Sequence, residues 1–536
     1  MRDDITIGQL WAEAVARWPD RPFLAVPPNA ERAYLPDGWD ITYGAADRVI
    51  AQLTATYRAA GYGLGHRVAM LLENRPEHVL HRLALNALGV GVVPINPDYR
   101  PAETAYLISH AEPDLILTIE TRRPQIEAAL AECTHRPPIH VLASGETPAS
   151  PQRTAAAGDP TPATEAQILY TSGTTGRPKG CILSHGYEVS VGDWYARLGG
   201  RATLHPGMDR IYNPLPLYHV NAGIVSLLGA VASGCCQVQA DRFNPKRWWR
   251  EVKASRATVV HYLGIVAPML LGQPPSDGDR DHAVRFGIGA GIEPALHSVF
   301  EARFGFPMVE IWGMTECVRV LGDVDEPRQV GSRAFGKAVP GIDVRVVDDS
   351  GADVAIGTPG EMVLRHSAAT PRRGAFSGYL GNDAETEAAW RGGWFHTGDT
   401  VWRGADGMHH FVDRKKNFIR RSGENIAAAE IEALLLTHPD VAQAAVMAVQ
   451  DDVREEEVLA CVVTRSGACG QDTAETIFGF CTARLAYFKA PGWIWFASEL
   501  PTTGTQKIQK HIIFPGLADP RTAPGMIDMR GLKRRG

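Results

Sequence analysis

The sequence has little that would tie it to nucleic acid, to a membrane or to an oxidising compartment. Its 54 basic and 60 acidic side chains leave a net charge of only −6 over 536 residues, which supplies neither a basic footprint for nucleic acid nor a polybasic membrane signal. No run approaches the ~18 apolar residues that a membrane span needs. The N-terminus, MRDDITIGQLWAEAVARW, sets acids beside Arg2 and lacks the apolar centre of a signal peptide. The eight cysteines (133, 181, 235, 236, 317, 461, 469 and 481) show no CxxC spacing, and Cys461 sits in the apolar Leu459–Val462. They read as reduced thiols of a cytoplasmic protein. Cys317 has no base beside it in sequence, which argues against a nucleophile.

What is present is length and alternation. At 536 residues the chain exceeds one ordinary core, so two or more domains are expected. Arg67–Leu72, Gly91–Ile95 and Asp114–Ile119 read as buried strands, and Glu77–Leu88 and Ala102–His110 as amphipathic helices. Such alternation predicts a parallel sheet covered on both faces. The Pro-, Ala-, Thr- and Gly-rich segment Ser144–Ala166 reads as a surface connection. A helix carrying Trp248 and Trp249 and the strand Ala257–Leu263 resume the alternation, and Val344–Val347 and Gly360–Arg365 read as a smaller β element. From about residue 417 a small α+β pattern follows, with helices over Ala427–Leu436 and Thr473–Ala486 and strands over Val441–Val449 and Leu459–Val463. The tail Arg521–Gly536, with Arg530, Lys533, Arg534 and Arg535, reads as mobile or as ordered against the domain. The expected fold is α/β: an N-terminal domain of α/β layers with a small β element over residues 1–415, then a small mobile α+β domain over 416–536.

The densest chemistry lies at Tyr170–Gly180, YTSGTTGRPKG, directly after the apolar Ile168-Leu169. Gly173, Gly176 and Gly180 free the backbone to turn successive N–H groups toward one anion. Thr171, Ser172, Thr174 and Thr175 add hydroxyl donors, and Lys179 adds a point charge suited to phosphate. The loop is built for a polyphosphate, yet it is no Walker loop, because Pro178 and Gly180 stand where that pattern needs Gly and Ser or Thr. Further on, Gly287–Pro294 (GIGAGIEP) is glycine-rich enough for a flat ring to lie against backbone, although a tight strand-to-helix turn explains it as well. In Glu310–Glu316 (EIWGMTE), Trp312 offers a stacking face, Thr315 a hydroxyl for phosphate and Glu316 a hard oxygen for Mg²⁺. Asp399, closing GWFHTGD, can accept two hydrogen bonds from ribose hydroxyls.

Together these strings resemble the adenylate-forming superfamily of acyl-CoA synthetases, luciferases and peptide-synthetase adenylation domains. Within it, TSGTTGRPKGC, WWREVKASRATVV and FVDRKKNFIRRSGENI look most like the crotonobetaine/carnitine-CoA ligase branch. The resemblance implies that Gly289, Ala290 and Gly291 form the adenine turn with Trp312, Gly313 and Met314, Trp standing where relatives more often have Tyr. It implies that His219, in NPLPLYHVNAG, gates an acyl pocket, and that Arg414 is a second ribose contact. Lys416 matches the family's hinge, and the Arg420–Asn425 turn with Gly423 matches the lining of a thiol tunnel. Lys507, in PTTGTQKIQK, matches the catalytic lysine, with Gln506 intervening where Gly is common.

The implied reaction joins a carboxylic acid to the α-phosphate of ATP with Mg²⁺, expels pyrophosphate and passes the acyl group to coenzyme A. Lys507, Thr315, Glu316 and His219 are the expected catalytic set, with Glu316 on the metal. The acid is small to medium, of a carnitine or betaine type among others. An aromatic cage of Trp194, Tyr195 and Tyr218 would suit a quaternary ammonium, although packing is the plainer role for Trp194 and Tyr195. For an aliphatic acid of medium or long chain, Ala222 and Gly223 would line the tunnel. A stand-alone adenylating enzyme that loads a carrier protein or an amine stays open, as does an ATP-binding pseudoenzyme. No nucleic acid or integral membrane partner is expected, and a homodimer is left open.

Overall fold

Strands built from unbroken apolar runs need cover on both faces, and the chain supplies it with two parallel sheets packed among helices. The computed structural model describes residues 2–143, 146–171, 178–414, 418–421, 424–451, 454–485, 487–502 and 508–533. In the first sheet, Met308–Met314, Phe286–Ala290, Val259–Leu263, Arg210–Asn213, Cys236–Gln239 and Pro22–Val26 lie side by side in parallel. Cys317–Gly322 and Trp39–Thr42 close its two edges antiparallel. In the second sheet, Glu165–Thr171, Gly91–Pro94, Arg67–Leu71, Leu115–Thr118 and Ile139–Val141 are parallel, and the hairpin strand Lys179–Ser184 and the short Gly378–Tyr379 extend it antiparallel. Val68–Leu72 and Val92–Ile95 are buried throughout, as a doubly covered sheet demands.

Local chemistry sets the helix starts. Thr6 caps Ile7–Arg17 by a capping box, its hydroxyl accepting from Gln9 N–H at 3.2 Å while the Gln9 side chain accepts from Thr6 N–H at 2.8 Å. Proline opens Pro76–Ala87, Pro101–Ala111 and Pro294–Phe304, where its missing N–H costs nothing.

A third, five-stranded antiparallel sheet carries Ala334–Gly336, His409–Arg414, Phe395–Arg403, Gly360–Arg365 and Asp343–Val347. The C-terminal domain has its own sheet and its own core, in which Ile419, Ile431, Val458, Ile494 and Met529 meet. The chain is therefore a large N-terminal domain followed by a smaller one, and none of its described helices is long and apolar enough to cross a membrane. All eight cysteines are free thiols, seven of them buried and Cys469 exposed.

One expectation needs correction: the helix read as Thr473–Ala486 spans Gln471–Thr482. Of the two readings of the tail, the ordered one holds up to Lys533: Ile527–Asp528 pairs with Trp493–Phe496, and Met529 is fully buried. A charge cluster explains why the basic tail docks. Glu457, fully buried, accepts from Arg421 Nε at 2.8 Å and from Lys533 Nζ at 2.6 Å. Two cations share one carboxylate, and burial pushes the Lys533 ammonium down to about 8.

The cluster is asymmetric, so its substitutions should be too. Glu457→Gln leaves two buried cations facing one another and is expected to lower unfolding free energy by about 3–5 kcal/mol, whereas Lys533→Met leaves an intact pair and should cost less than about 1 kcal/mol. Urea unfolding of the two variants checks this, and equal losses would contradict it.

Candidate active site

Ligands of open parallel sheets gather beyond the carboxyl ends of the strands. The pattern of exposure marks that place here. Within residues 211–231 every residue is buried except His219, Val220 and Asn221, and Leu263, Gly264 and Ile265 are likewise half-open at the end of the neighbouring strand. Ala290, Gly291 and residues 313–315 open at the ends of the next two strands. These four openings line one cleft, because their strands are adjacent in the sheet.

The turn after Phe286–Ala290 is held by a residue that the sequence reading left without a role. Glu310, buried on the next strand, accepts from Gly291 N–H at 2.9 Å, from Ile292 N–H at 3.2 Å and from the Tyr262 hydroxyl at 2.5 Å. Its carboxyl is raised by burial, which the three donors oppose. Glycine is required twice: Gly291 has φ +85°, and a Cβ at Gly264 would overlap the Gly291 carbonyl. Gly289, Ala290 and Gly291 thus form a fixed backbone wall of the cleft.

Trp312 lies beside that wall, but its ring is only 6 % exposed and packs against Phe335. Its indole N–H donates to Asp399 Oδ2 at 2.8 Å, so the tryptophan supplies a donor as well as a ring. Asp399 is itself buried, and its backbone N–H donates to the Thr397 hydroxyl at 3.1 Å. Arg414 stands directly opposite Asp399 in the antiparallel pair Phe395–Arg403 with His409–Arg414.

Glu316 joins the two parallel sheets. Its Oε1 accepts from the Tyr379 hydroxyl at 2.9 Å, its carbonyl accepts from Phe376 N–H at 2.9 Å, and Tyr379 pairs with Cys181 on the hairpin strand. The preceding Thr315 carbonyl accepts from the Tyr187 hydroxyl at 2.8 Å. At the base of the hairpin Thr171 faces Lys179, whose ammonium pairs with Glu385 and lies 5.0 Å from the Tyr379 ring centre. Tyr106 braces the same hairpin by donating its hydroxyl to the Pro178 carbonyl at 3.1 Å. Ser172, Gly173, Thr174, Thr175 and Gly176 lie outside the described residues, as do Lys416, Gly423, Gln506 and Lys507. The stems on either side of the last two are paired, with Thr502 bridged to Ile508 and Gln509 N–H bonded to the Pro501 carbonyl at 2.8 Å.

His219 packs its ring 4.7 Å from that of Tyr218, and its Nε2 is buried without a hydrogen-bond partner among the described residues. Burial pushes the imidazole down to about 4, so it is neutral at pH 7. The segment Asn221–Ser226 that follows is a π-helix, a form often found at functional sites, which no sequence pattern announced. Tyr195 is fully buried with its hydroxyl 2.9 Å from His261 Nε2, which removes it from any cage. Ala222 and Gly223 are also sealed in packing, and a Cβ at Gly223 would strike the Leu217 carbonyl.

The family model described as AMP-binding enzyme matches residues 11–380, and that described as AMP-binding enzyme C-terminal domain matches residues 430–507. The chain is 33% identical over 515 residues to a sulfoacetate–CoA ligase of Cupriavidus necator, covering 94% of this chain and 96% of that protein. It is 28% identical over 465 residues to a crotonobetaine/carnitine–CoA ligase of Escherichia coli, covering 84% and 88%. Among solved structures, ATP-bound MatB from Rhodopseudomonas palustris superposes with a TM-score of 0.79 at 26% identity, over 96% of this chain and 98% of that one.

Several imidazoles are kept neutral by burial. His78 and His261 are pushed down to about 3 and His185 to about 4, all three almost wholly inaccessible. Unfolded histidine titrates near 6.5, so between about pH 6.5 and 4 the unfolded chain binds the extra protons. The stability these groups contribute is complete above pH 6.5 and is lost as pH falls, by about 1.4 kcal/mol per pH unit for each. Thermal unfolding should drop steeply from pH 7 to pH 5, and a melting temperature flat over that window would refute neutral burial.

Proposed function

The chain belongs to the AMP-binding enzyme family, and on that premise we propose that it is an AMP-forming acid–CoA ligase whose substrate is a short polar carboxylic acid. The observation that carries the reading is convergence. The Glu310-bound turn, the Trp312–Asp399 pair and the Glu316–Tyr379 bridge from the hairpin meet at the same strand ends. An adenine, a ribose and a phosphate chain are the parts that such a row would hold in order.

In the proposed reaction the acid's carboxylate oxygen bonds to the α-phosphorus and the bond to pyrophosphate breaks. Two anions must meet, so charge neutralisation is the main task. Lys507 supplies an ammonium between the α-phosphate and the carboxylate, Asp399 and Arg414 orient the ribose, and the hydroxyls and N–H groups of residues 171–176 with Lys179 hold the departing phosphates. Glu316 fits Mg²⁺: it is a hard carboxylate at the cleft whose Oε1 is already oriented by a neutral hydroxyl. When bound there, the ion would offset phosphate charge. His219, neutral and at the mouth of the acyl side, excludes water from the carboxylate.

In the second half-reaction the thiol of coenzyme A attacks the acyl carbonyl and AMP leaves. Lys507 must first withdraw, and the boundary at 415/416, with Lys416 as hinge, lets the C-terminal domain rotate and present the Gly423 turn in its place.

A short acid is favoured because Ala222 and Gly223 are closed by packing. The relatives named for sulfoacetate and for crotonobetaine and carnitine also point to small polar acids. The chain with ATP, Mg²⁺, coenzyme A and a panel of carboxylic acids should release AMP and pyrophosphate and yield a thioester by mass spectrometry. ADP with inorganic phosphate would reject the reading, and acyl-adenylate formed equally with and without coenzyme A, with no thioester, would replace it by a stand-alone adenylating enzyme.

Lys507→Ala should slow adenylate formation by about 10²–10³, while thioester formation from supplied acyl-adenylate stays within about threefold. Equal loss of both steps would refute the division of labour. Trp312→Phe removes the donor to a carboxylate, typically worth ~1.5–3 kcal/mol, and should raise KM for ATP by about tenfold or more with a smaller change in kcat. An unchanged KM would show that the indole N–H does not position Asp399.

A further inference from the structure

A backbone N–H deep in the first sheet determines which atom the acyl side of the cleft presents. Leu215 N–H reaches Asn213 Oδ1 at 3.0 Å, so the other amide atom of Asn213 is its nitrogen. That Nδ2 lies 2.9 Å from Ser226 Oγ and 2.9 Å from one amide atom of Asn221. Two N–H groups cannot face each other, so the Asn221 atom must be oxygen. His261 Nδ1 lies 2.8 Å from the same oxygen and therefore carries the proton. In the neutral ring Nε2 is then bare, and it accepts from the Tyr195 hydroxyl at 2.9 Å.

The network continues inward to saturation. Ser226 Oγ is 3.1 Å from Gln237 Oε1, Gln237 Nε2 donates to Gln239 Oε1 at 2.7 Å, and Gln239 Nε2 donates to the Asn213 carbonyl at 2.9 Å. Asn213, Ser226, Gln237, Gln239, His261 and Tyr195 are all buried. Asn221 is half-open, and among the described residues nothing accepts from its Nδ2. Asn221 belongs to the half-open stretch His219–Asn221, and the half-open Leu263–Ile265 lies at the end of the strand that carries its partner His261.

We infer that Asn221 determines which acids the pocket takes, by donating its amide N–H groups to an oxygen on the tail of the substrate. This rests on the acid–CoA ligase reading and narrows it. The substrate class is a short acid with a second oxygen-bearing group, whether carboxylate, sulfonate, carbonyl or hydroxyl. An alkyl tail leaves the donors without a partner in a closed pocket, and a trimethylammonium tail meets them with the wrong sign.

The test is a matched panel with the full chain, ATP, Mg²⁺ and coenzyme A at pH 8, read as thioester by mass spectrometry. Sulfoacetate and malonate supply anionic oxygens, 3-hydroxypropanoate a neutral one, butanoate an alkyl tail and carnitine a trimethylammonium. At least one oxygen-tailed acid should exceed butanoate and carnitine in kcat/KM by about tenfold or more, the anionic and neutral arms deciding which oxygen is meant. Asn221→Asp keeps an oxygen for Asn213 and His261 and turns only the outward donor into an acceptor. It should cost the favoured acid about tenfold or more, mostly through KM, and change butanoate by less than about threefold. Butanoate or carnitine preferred by the unaltered chain, or an equal loss on every acid in Asn221→Asp, overturns the inference and leaves the ligase reading intact. No thioester from any acid overturns both.

Discussion

The cleft depends on buried carboxylates that are satisfied by neutral donors. Glu310 is held by one tyrosine hydroxyl and two backbone N–H groups, and the side chain of Glu316 by one tyrosine hydroxyl and the Cys181 thiol. A carboxylate paired with arginine would be neutralised and rigid. One held by hydroxyls and amides is just as well oriented without being matched to a cation. The fold makes this workable by placing both acids on the strand that ends the parallel run, Met308–Met314 and the turn after it, where the turn after the neighbouring strand and the short strand Gly378–Tyr379 beside the hairpin can each send a donor.

The same strand explains how far the sequence could be read. Residue types were legible because the chemistry is local: Thr315 and Glu316 follow Trp312 within four positions, and the glycines of 287–291 declare a backbone approach that Gly264 and Gly291 duly make. Partners were not legible. The Trp312–Asp399 bond spans 87 residues and the His261–Asn221 contact 40, and both exist only because sheets register strands that the chain separates. Glu310 was quoted within a motif yet given no task, since nothing in EIWGMTE says that its first residue faces a turn on the strand before it. The tail stayed open between two readings for a related reason: a basic, proline-containing terminus reads as solvated unless one knows that Glu457 is buried beside it.

The π-helix and the amide network are two sides of one constraint. A widened turn at Asn221–Ser226 lets Ser226 and Asn221 both reach Asn213, and Arg82, paired with Glu188, donates to the Gly223 carbonyl within the same turn. The amides of Asn213, Gln237 and Gln239 are committed to this network, so the residues left to face a ligand at this wall are the half-open His219, Val220 and Asn221. Rigidity behind a few free atoms is what lets a pocket distinguish small acids, because an unmatched tail cannot be accommodated by rearranging the wall.

The hairpin shows the opposite economy of design. Lys179 pairs with Glu385 across a gap where both side chains remain partly accessible, 17% and 29% exposed. Partly exposed pairs of this kind are worth about 0–1 kcal/mol, so the ammonium is placed and oriented without being committed. In the proposed reaction a phosphate chain carries several charges and adds donors from the loop, so it can take Lys179 from Glu385 at small cost. Glu385 opens the helix Asp383–Ala389, whose cap Asn382 follows the Tyr379 strand directly. The partner of Lys179, Glu385, and the residue that steadies Glu316, Tyr379, therefore lie six positions apart on one short segment.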